Sequence, residues 1–398
     1  MSNPPSQSYP RRWILLLALL TALGPLSIDM YLPALPLMAE DFGVSTQRVA
    51  NSLPAYFLGL ALGQLVYGPL SDRIGRKTPL YIGLLLYSLA SLLCIFANDE
   101  WSLIAARVLQ ALGGCVGVVI ARAAIRDRLD VQGSAQAFSS MMIVATLAPI
   151  MAPTLGAWVL LFFDWHMIFA FLTGMGVVAW LCVHFFFKET LAPERRLNLS
   201  FNQVLNLYAA IFKDRQFCFA MFAGCLSGGA LFTYISGSAA VLMDSYGLSE
   251  QYFAYVFGLN AFGIMLFSTL NKHLAKRYGI LQRLKLGGAI QAFGVTLLLL
   301  CGFLSMPLAW VLLGLFLTVA GIGFTGPNAM ALAMSEQGGR AGTASALMGS
   351  MQFAAGLLGG LLLNFLAWSA LMNMALVMLI FIFTANLSMR YIQFSKEI

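Results

Sequence analysis

In a chain of 398 residues that is 60% hydrophobic and 10% charged, two side chains stand out for the chemistry they could do. Asp29 is the one acidic residue inside a long apolar run. It lies about sixteen residues past the start of that run, roughly 24 Å of helical rise and so in the outer half of a membrane. A carboxyl group in a low-dielectric setting holds its proton more readily, which suits a group that loads and releases one. The plainer reading is an aspartate at the membrane interface, because Pro33 and Pro36 follow closely. Arg107 is the one basic residue clearly within such a run, near its outer end and at a depth compatible with Asp29. A permanently charged guanidinium there needs a counter-charge or a polar path. An Asp29–Arg107 interaction, direct or through water, is therefore expected, with Gln110 on the same face of the Arg107 helix. A structural ion pair or a helix-end anchor is the alternative.

These groups must be carried by elements that cross a bilayer. About 20 apolar residues suffice for a helical span, and the runs here do not alternate as barrel strands would. Twelve spans are expected, at 13–35, 49–70, 78–97, 101–124, 135–160, 165–187, 215–239, 250–271, 281–303, 306–332, 341–363 and 366–388. The fold class is thus an all-α membrane protein. Of the 23 Lys and Arg residues, all but Arg48 and Arg107 fall at one end of this arrangement. Glu40, Asp41, Asp99, Glu100, Asp164, Asp244 and Glu250 occupy the loops at the other end. The asymmetry fits both termini in the cytoplasm and explains a net charge of +7 without nucleic acid. The first apolar run exceeds the length of a signal-peptide core and reads as a span.

One connection is long. Residues 188–214 divide the chain into halves, 1–187 and 215–398. Phe201, Val204, Leu205, Tyr208 and Ile211 recur at helical spacing within it. Either a surface-lying amphipathic helix or an ordered linker fits. The halves echo each other. Gly68–Lys77 follows the second span, with Asp72, Arg73, Arg76 and Lys77 packed into ten residues. Asn271–Gly279 follows the eighth, ending in the same Arg-x-Gly but lacking the acidic residue. Two related six-helix bundles around a central path are a common plan for secondary carriers.

Met30, Tyr31, Tyr56, Phe57, Tyr234, Phe257 and Phe262 could line an apolar cavity, with Gln110, Asn260, Asn328 and Gln352 as its amides. Such a pocket would suit bulky, weakly polar solutes. Pro149 and Pro153 open the helical ladder of the fifth span, and Gly156 permits close contact. A hinge follows, or merely a bent helix. Six scattered cysteines and three histidines show no metal spacing. No phosphate loop, dinucleotide fingerprint or paired carboxylates occur, so an ion gradient is expected to drive the protein, with no cofactor and no enzymatic turnover.

Gly68-Pro69-Leu70-Ser71-Asp72-Arg73-Ile74-Gly75-Arg76-Lys77 resembles the signature loop of the major facilitator superfamily. Arg107-x-x-Gln110-x-x-Gly113 is similar to its fourth-helix motif, and Ala148–Gly156 to the fifth-helix motif of its proton antiporters, with Ala152 in place of a glycine. Leu26–Pro36, Arg126-Asp127, Trp165-His166-x-Ile168-Phe169, Lys188-Glu189-Thr190-Leu191 and Ala341–Ser345 resemble the Bcr/CflA branch, which includes bicyclomycin-resistance proteins. The resemblance implies two pseudo-symmetric six-helix bundles rocking about a central cavity. It implies proton-driven export of drugs or related small molecules through a bacterial inner membrane. Asp29 would be the proton-coupling carboxylate and Arg107 its partner. Gly68, Asp72, Arg73, Gly75, Arg76 and Lys77 would form a latch between the bundles rather than a solute site. A monomer suffices for this plan. A proton-coupled metabolite exporter or symporter is the rival within transport. A receptor without turnover would need larger loops, and a channel a continuous polar lining.

Overall fold

The computed structural model describes residues 11–129, 131–196 and 201–392. Asp130, linker residues 197–200 and Lys396 lie outside the described residues. With no water in hydrocarbon, every backbone donor and acceptor must pair within its own segment, and runs of this composition meet that demand as helices. Among the described residues twelve helical spans result, the fifth being apolar over Leu147–Phe162. They are Trp13–Phe42, Thr46–Ile74, Lys77–Ile95, Glu100–Arg128, Val131–Phe162, His166–Phe186, Arg215–Ser245, Glu250–Leu274, Ile280–Leu304, Leu308–Met334, Ala341–Leu362 and Ala370–Arg390. Several begin on side-chain caps. Asp99 accepts from the amides of Trp101 and Ser102, Asp214 from Phe217, Ser249 from Tyr252 and Ser369 from Met372.

Three departures from the expected spans matter for the site. The first span does not stop near residue 35 but continues to Phe42, and it is not one helix. Its first helix ends at Asp29, and a 3₁₀ turn over Leu32–Ala34 restarts it with Pro33 at the start of the turn. Asp29 is thus the last helical residue before a break, not a mid-helix one. The fifth span runs as continuous helix through Pro149 and Pro153. The linker carries a helix, Phe201–Phe212, with Ile211 buried and the Tyr208 hydroxyl donating to the carbonyl of Leu65.

Spans one to six and seven to twelve form the two bundles. They meet where the second span packs on the eleventh and the fifth on the eighth. At the end away from Gly68–Lys77 the seam is tight. Asn364 Nδ2 donates to Asn51 Oδ1 at 2.7 Å, and a Cβ on Gly360 would fall 2.1 Å from Pro54 Cγ. At the basic end a cavity of about 300 Å³ lies between the bundles.

Candidate functional site

A central cavity of about 380 Å³ lies between the bundles. Gln64, Arg122 and Ser345 line both it and the basic-end cavity, so the two are contiguous. Asp29 lies in its wall, 4% exposed, and its Oδ1 has no hydrogen-bond partner. Tyr234, from the second half, lines the same cavity. The Tyr234 hydroxyl accepts from Asn260 Nδ2 at 2.9 Å, and its ring stacks on Phe257 at 5.4 Å. The remaining wall is largely apolar, with Phe232 and Phe353 from the second half packed ring to ring at 5.4 Å.

Arg107 is fully buried and faces elsewhere. Its guanidinium lies over the rings of Tyr31 at 4.4 Å and Tyr56 at 4.1 Å, with Phe169 at 6.0 Å. Nη1 donates to Gln110 Oε1 at 2.5 Å, and Gln110 Nε2 in turn donates to Ser91 Oγ at 2.7 Å. Among the described residues, Nε and Nη2 have no partner, and no carboxylate pairs with the guanidinium. The direct contact with Asp29 is therefore not made. Depth is not the reason. A Cβ on Gly117 would lie 2.4 Å from the carbonyl oxygen of Leu20, which sets the register of the first span on the fourth. From that level Asp29 lies nine residues and Arg107 ten residues toward the tight end, within about 2 Å of rise of each other. The two differ in azimuth. Asp29 faces the cavity between bundles, whereas Arg107 faces the inside of its own bundle, where aromatic faces supply the attraction an anion would give.

The loop after the second span is a charge network built on Arg76, which is 5% exposed. Arg76 Nη1 donates to Ser71 Oγ and to Asp72 Oδ1, both at 2.6 Å, and Nε donates to Asp127 Oδ2 at 2.9 Å. Glu189, just past the sixth span, accepts from the backbone amides of Arg76, Lys77, Thr190 and Leu191 at 2.9–3.1 Å. Burial works to raise the Glu189 carboxyl, but these four amides outweigh it and hold it below the usual glutamate range. The carboxylate thereby caps the N-terminus of the third span from a distance. Gly75 has φ +95°, and a Cβ there would fall 2.6 Å from Glu189 Oε2, so both conformation and space require glycine. Among the described residues, the partners of Arg76 and Glu189 belong to the first half or to the start of the linker. The expected bridge from Asp72 across the bundles is not made in this conformation, because Arg76 engages Asp72.

Of the cavity residues anticipated above, Tyr234, Phe257, Asn260 and Gln352 line it. Tyr31, Tyr56 and Gln110 surround Arg107 instead. Phe57 stands behind the lining, 4.6 Å from Phe232. Met30 is buried against the fifth span, where a Cβ on Gly156 would fall 1.8 Å from its carbonyl oxygen. Phe262 is exposed and does not line the cavity. Asn328 donates to Asn271 Oδ1 at 3.0 Å near the basic end. Sequence reasoning missed Thr21, Gln64, Arg122, Phe232 and Phe353 as lining residues. A polar residue every fourth or seventh position along one face, as Cys115, Arg122 and Arg126 follow on the fourth span, was the available signal. Among the described residues, no group of three or more His, Cys, Asp or Glu could hold a metal ion.

Comparison with known proteins agrees with this architecture. The chain is 36% identical over 342 residues to the MFS-type transporter YdgK of Bacillus subtilis strain 168, covering 84% of each chain. It is 31% identical over 348 residues, 87% of each chain, to a bicyclomycin resistance protein homolog of Haemophilus influenzae. It is 30% identical to the multidrug resistance protein MdtL of Salmonella typhimurium, over 86% of this chain and 85% of that one. Among solved structures, a D-xylose–proton symporter superposes with a TM-score of 0.75 at 15% identity, over 97% of this chain and 98% of the other. A bacterial Spinster homolog in an inward-facing, unoccupied conformation gives 0.73 at 16% identity, over 98% and 100%. The family model of the Major Facilitator Superfamily matches residues 17–360, and the chain belongs to that superfamily of multi-pass membrane transporters.

Proposed function

We propose that the protein is a proton-coupled exporter of the Bcr/CflA branch, exchanging small amphipathic or apolar molecules for protons by alternating access. The observation that carries this reading is Asp29. Among the described residues it is the one carboxylate in the wall of the central cavity, it has an unpartnered oxygen, and it ends a helix at a break in the first span. A group so placed exchanges its proton with whichever side the cavity opens to, and protonation changes the charge of the cavity wall. Unwound helix ends lining a cavity recur as ion and substrate sites in secondary carriers. The basic end is the cytoplasmic end on charge asymmetry, so the conformation described is inward-facing, with the termini in the cytoplasm of a bacterial cell and the inner membrane around the chain. Residues 1–187 and 215–398 move as two rigid units joined by 188–214, one chain sufficing. The Gly68–Lys77 network with Arg107 stiffens the first unit, and the Pro149, Pro153 and Gly156 segment keeps the fifth span against the first.

Transport in proteoliposomes with an imposed pH gradient tests the reading. Substrate flux should follow the gradient in the wild type and lose that dependence in Asp29→Asn, with downhill exchange retained. Gradient-driven flux that survives in Asp29→Asn would overturn the assignment of the proton to this residue. Flux in the same direction as the proton would make the protein a symporter.

A further inference from the structure

On the proposed transport reading, we infer that the preferred substrate is an amphipathic organic anion, its anionic group held by Arg122 and Arg126 and its apolar body in the aromatic part of the central cavity. Arg122 lies six residues inside the end of the fourth span, about 9 Å from it. Topology alone places arginines at span ends and in loops. This one instead opens onto the space between the bundles and lines both cavities. Neither Arg122 nor Arg126 has an ion-pair or hydrogen-bond partner among the described residues. The basic-end cavity is lined by Arg76, Arg122, Arg126 and Arg340 against a single carboxylate, Asp72, which Arg76 already engages. Arg340 also borders a neighbouring pocket with Asp214 and Glu336, so Arg122 and Arg126 carry the uncompensated charge.

A second observation comes from the eleventh span. Its N-terminus, Ala341–Leu362, opens into the same cavity through Gly342, Thr343 and Ser345, and Arg340 before it provides no side-chain cap. Arg126 Nη1 would be 3.2 Å from a Cβ on Gly342. An arginine against the positive end of a helix is electrostatically unfavourable unless an anion lies between or beside them, and free helix-terminal amides are themselves anion donors. The apolar wall of Phe232, Phe257 and Phe353 begins beyond Gln64 and Ser345. Asp29 does not oppose an anion at Arg122. From the level shared by Leu20 and Gly117, Asp29 is nine residues one way and Arg122 five the other, a separation of about 20 Å along the spans, where Coulomb repulsion is weak.

The test uses naphthalene-1-sulfonate, its neutral isostere naphthalene-1-sulfonamide, and the cation 1-naphthylmethylammonium. Equilibrium binding to purified full-length protein and gradient-driven flux in phosphatidylcholine liposomes are measured for each. The sulfonate should bind about tenfold or more tightly than the sulfonamide, as charge-assisted hydrogen bonds imply. Arg122→Gln should remove that preference without changing sulfonamide binding, and Arg122→Lys should restore part of it. Arg126→Gln should weaken it less. Equal affinities for sulfonate and sulfonamide in the wild type would overturn the inference whatever the variants do, as would a preference untouched in Arg122→Gln. Loss of sulfonate binding when phosphatidylglycerol is added would show that the arginines hold a lipid headgroup, which also overturns it. Gradient-driven flux of the sulfonamide or the cation but not the sulfonate sinks this inference and leaves the transport reading standing. No gradient-driven flux of any probe, with sulfonate selectivity intact in binding, tells against transport and not against the anion site.

Discussion

The two bundles share a plan and divide the chemistry between them. Among the described residues, the buried charged side chains, Asp29, Arg76, Glu100 and Arg107, all lie in the first bundle. The second buries Ser227, Asn260, Asn271, Gln291, Thr325 and Asn328 in comparable places, all neutral. The corresponding loops make the contrast sharp. After the second span, Arg76 joins Asp72 and Asp127. After the eighth, Asn271 Oδ1 accepts from Arg283 Nη1 at 2.9 Å and from Asn328 Nδ2 at 3.0 Å. In the interior, Ser227 Oγ bridges Gln291 Oε1 at 2.7 Å and Thr325 Oγ1 at 2.5 Å, whereas the first bundle holds an unpaired guanidinium between two tyrosines. Burying a charge costs several kcal/mol unless it is compensated, and a neutral hydroxyl–amide cluster avoids that cost. The difference teaches that the first bundle carries the buried charge, whereas the second satisfies its buried polar groups with neutral hydroxyl–amide pairs.

That contrast can be broken at several points. The largest effect is expected from Arg107→Met. It removes a buried charge that has no carboxylate partner, so thermal stability should hold or rise even though three cation–π contacts and the hydrogen bond to Gln110 are lost. Gradient-driven flux should nonetheless fall to background. A drop in melting temperature with transport retained would mean that the aromatic rings and Gln110 compensate the guanidinium and that it serves packing. Arg76→Gln should act in the opposite sense. It leaves Asp127 without its cation, costing about 2–3 kcal/mol, and thermal unfolding in detergent would register it. The matched change in the second bundle, Arg283→Gln, should cost under about 1 kcal/mol, because the acceptor it leaves is a neutral amide.

Glu189 gives a pH test of the same comparison. Its carboxyl is held below the ordinary range in the folded protein. Its contribution is therefore complete above the unfolded glutamate value of about 4.3 and is lost as the pH falls through the lower folded value. Protection of the Arg76 and Lys77 amides, relative to their intrinsic exchange at each pH, should fall on acidification through that window, while protection across 271–279 stays level. A parallel fall in both loops would remove the distinction. A comparably small effect, of opposite sign, is expected from Asn271→Asp. A charge placed where Arg283 already donates should raise stability by about 1 kcal/mol, making the second loop resemble the first.

Much of the architecture was legible before any coordinates. Span number followed from run length, and the sidedness of Arg and Lys gave a second, independent count. The break after Asp29 was not legible as a break. Pro33 and Pro36 signalled it, but proline at the start of a helical segment and proline that ends one look alike in sequence. The cavity lining was half legible. Tyr234, Phe257, Asn260 and Gln352 were found because polar or aromatic residues at membrane depth are unusual. Phe57 and Phe262 were indistinguishable from them by type, since a phenylalanine facing lipid and one facing a cavity satisfy the same hydropathy. Arg122 sits near a span end, where a basic residue is what topology alone requires, and only the gap between the bundles makes it a cavity residue.

The sequence by itself determined depth. A fixed rise of 1.5 Å per residue and a hydrocarbon layer of fixed thickness place Asp29 and Arg107 at one level and the basic loops at one end. What only the tertiary structure decided is azimuth, the direction each side chain takes around its helix. Azimuth depends on which neighbour packs where, on Leu20 meeting Gly117 and Met30 meeting Gly156, and these contacts are made between segments far apart in the chain. Two charges at the same depth therefore came to face different surroundings, one the cavity between bundles and the other the aromatic interior of a single bundle.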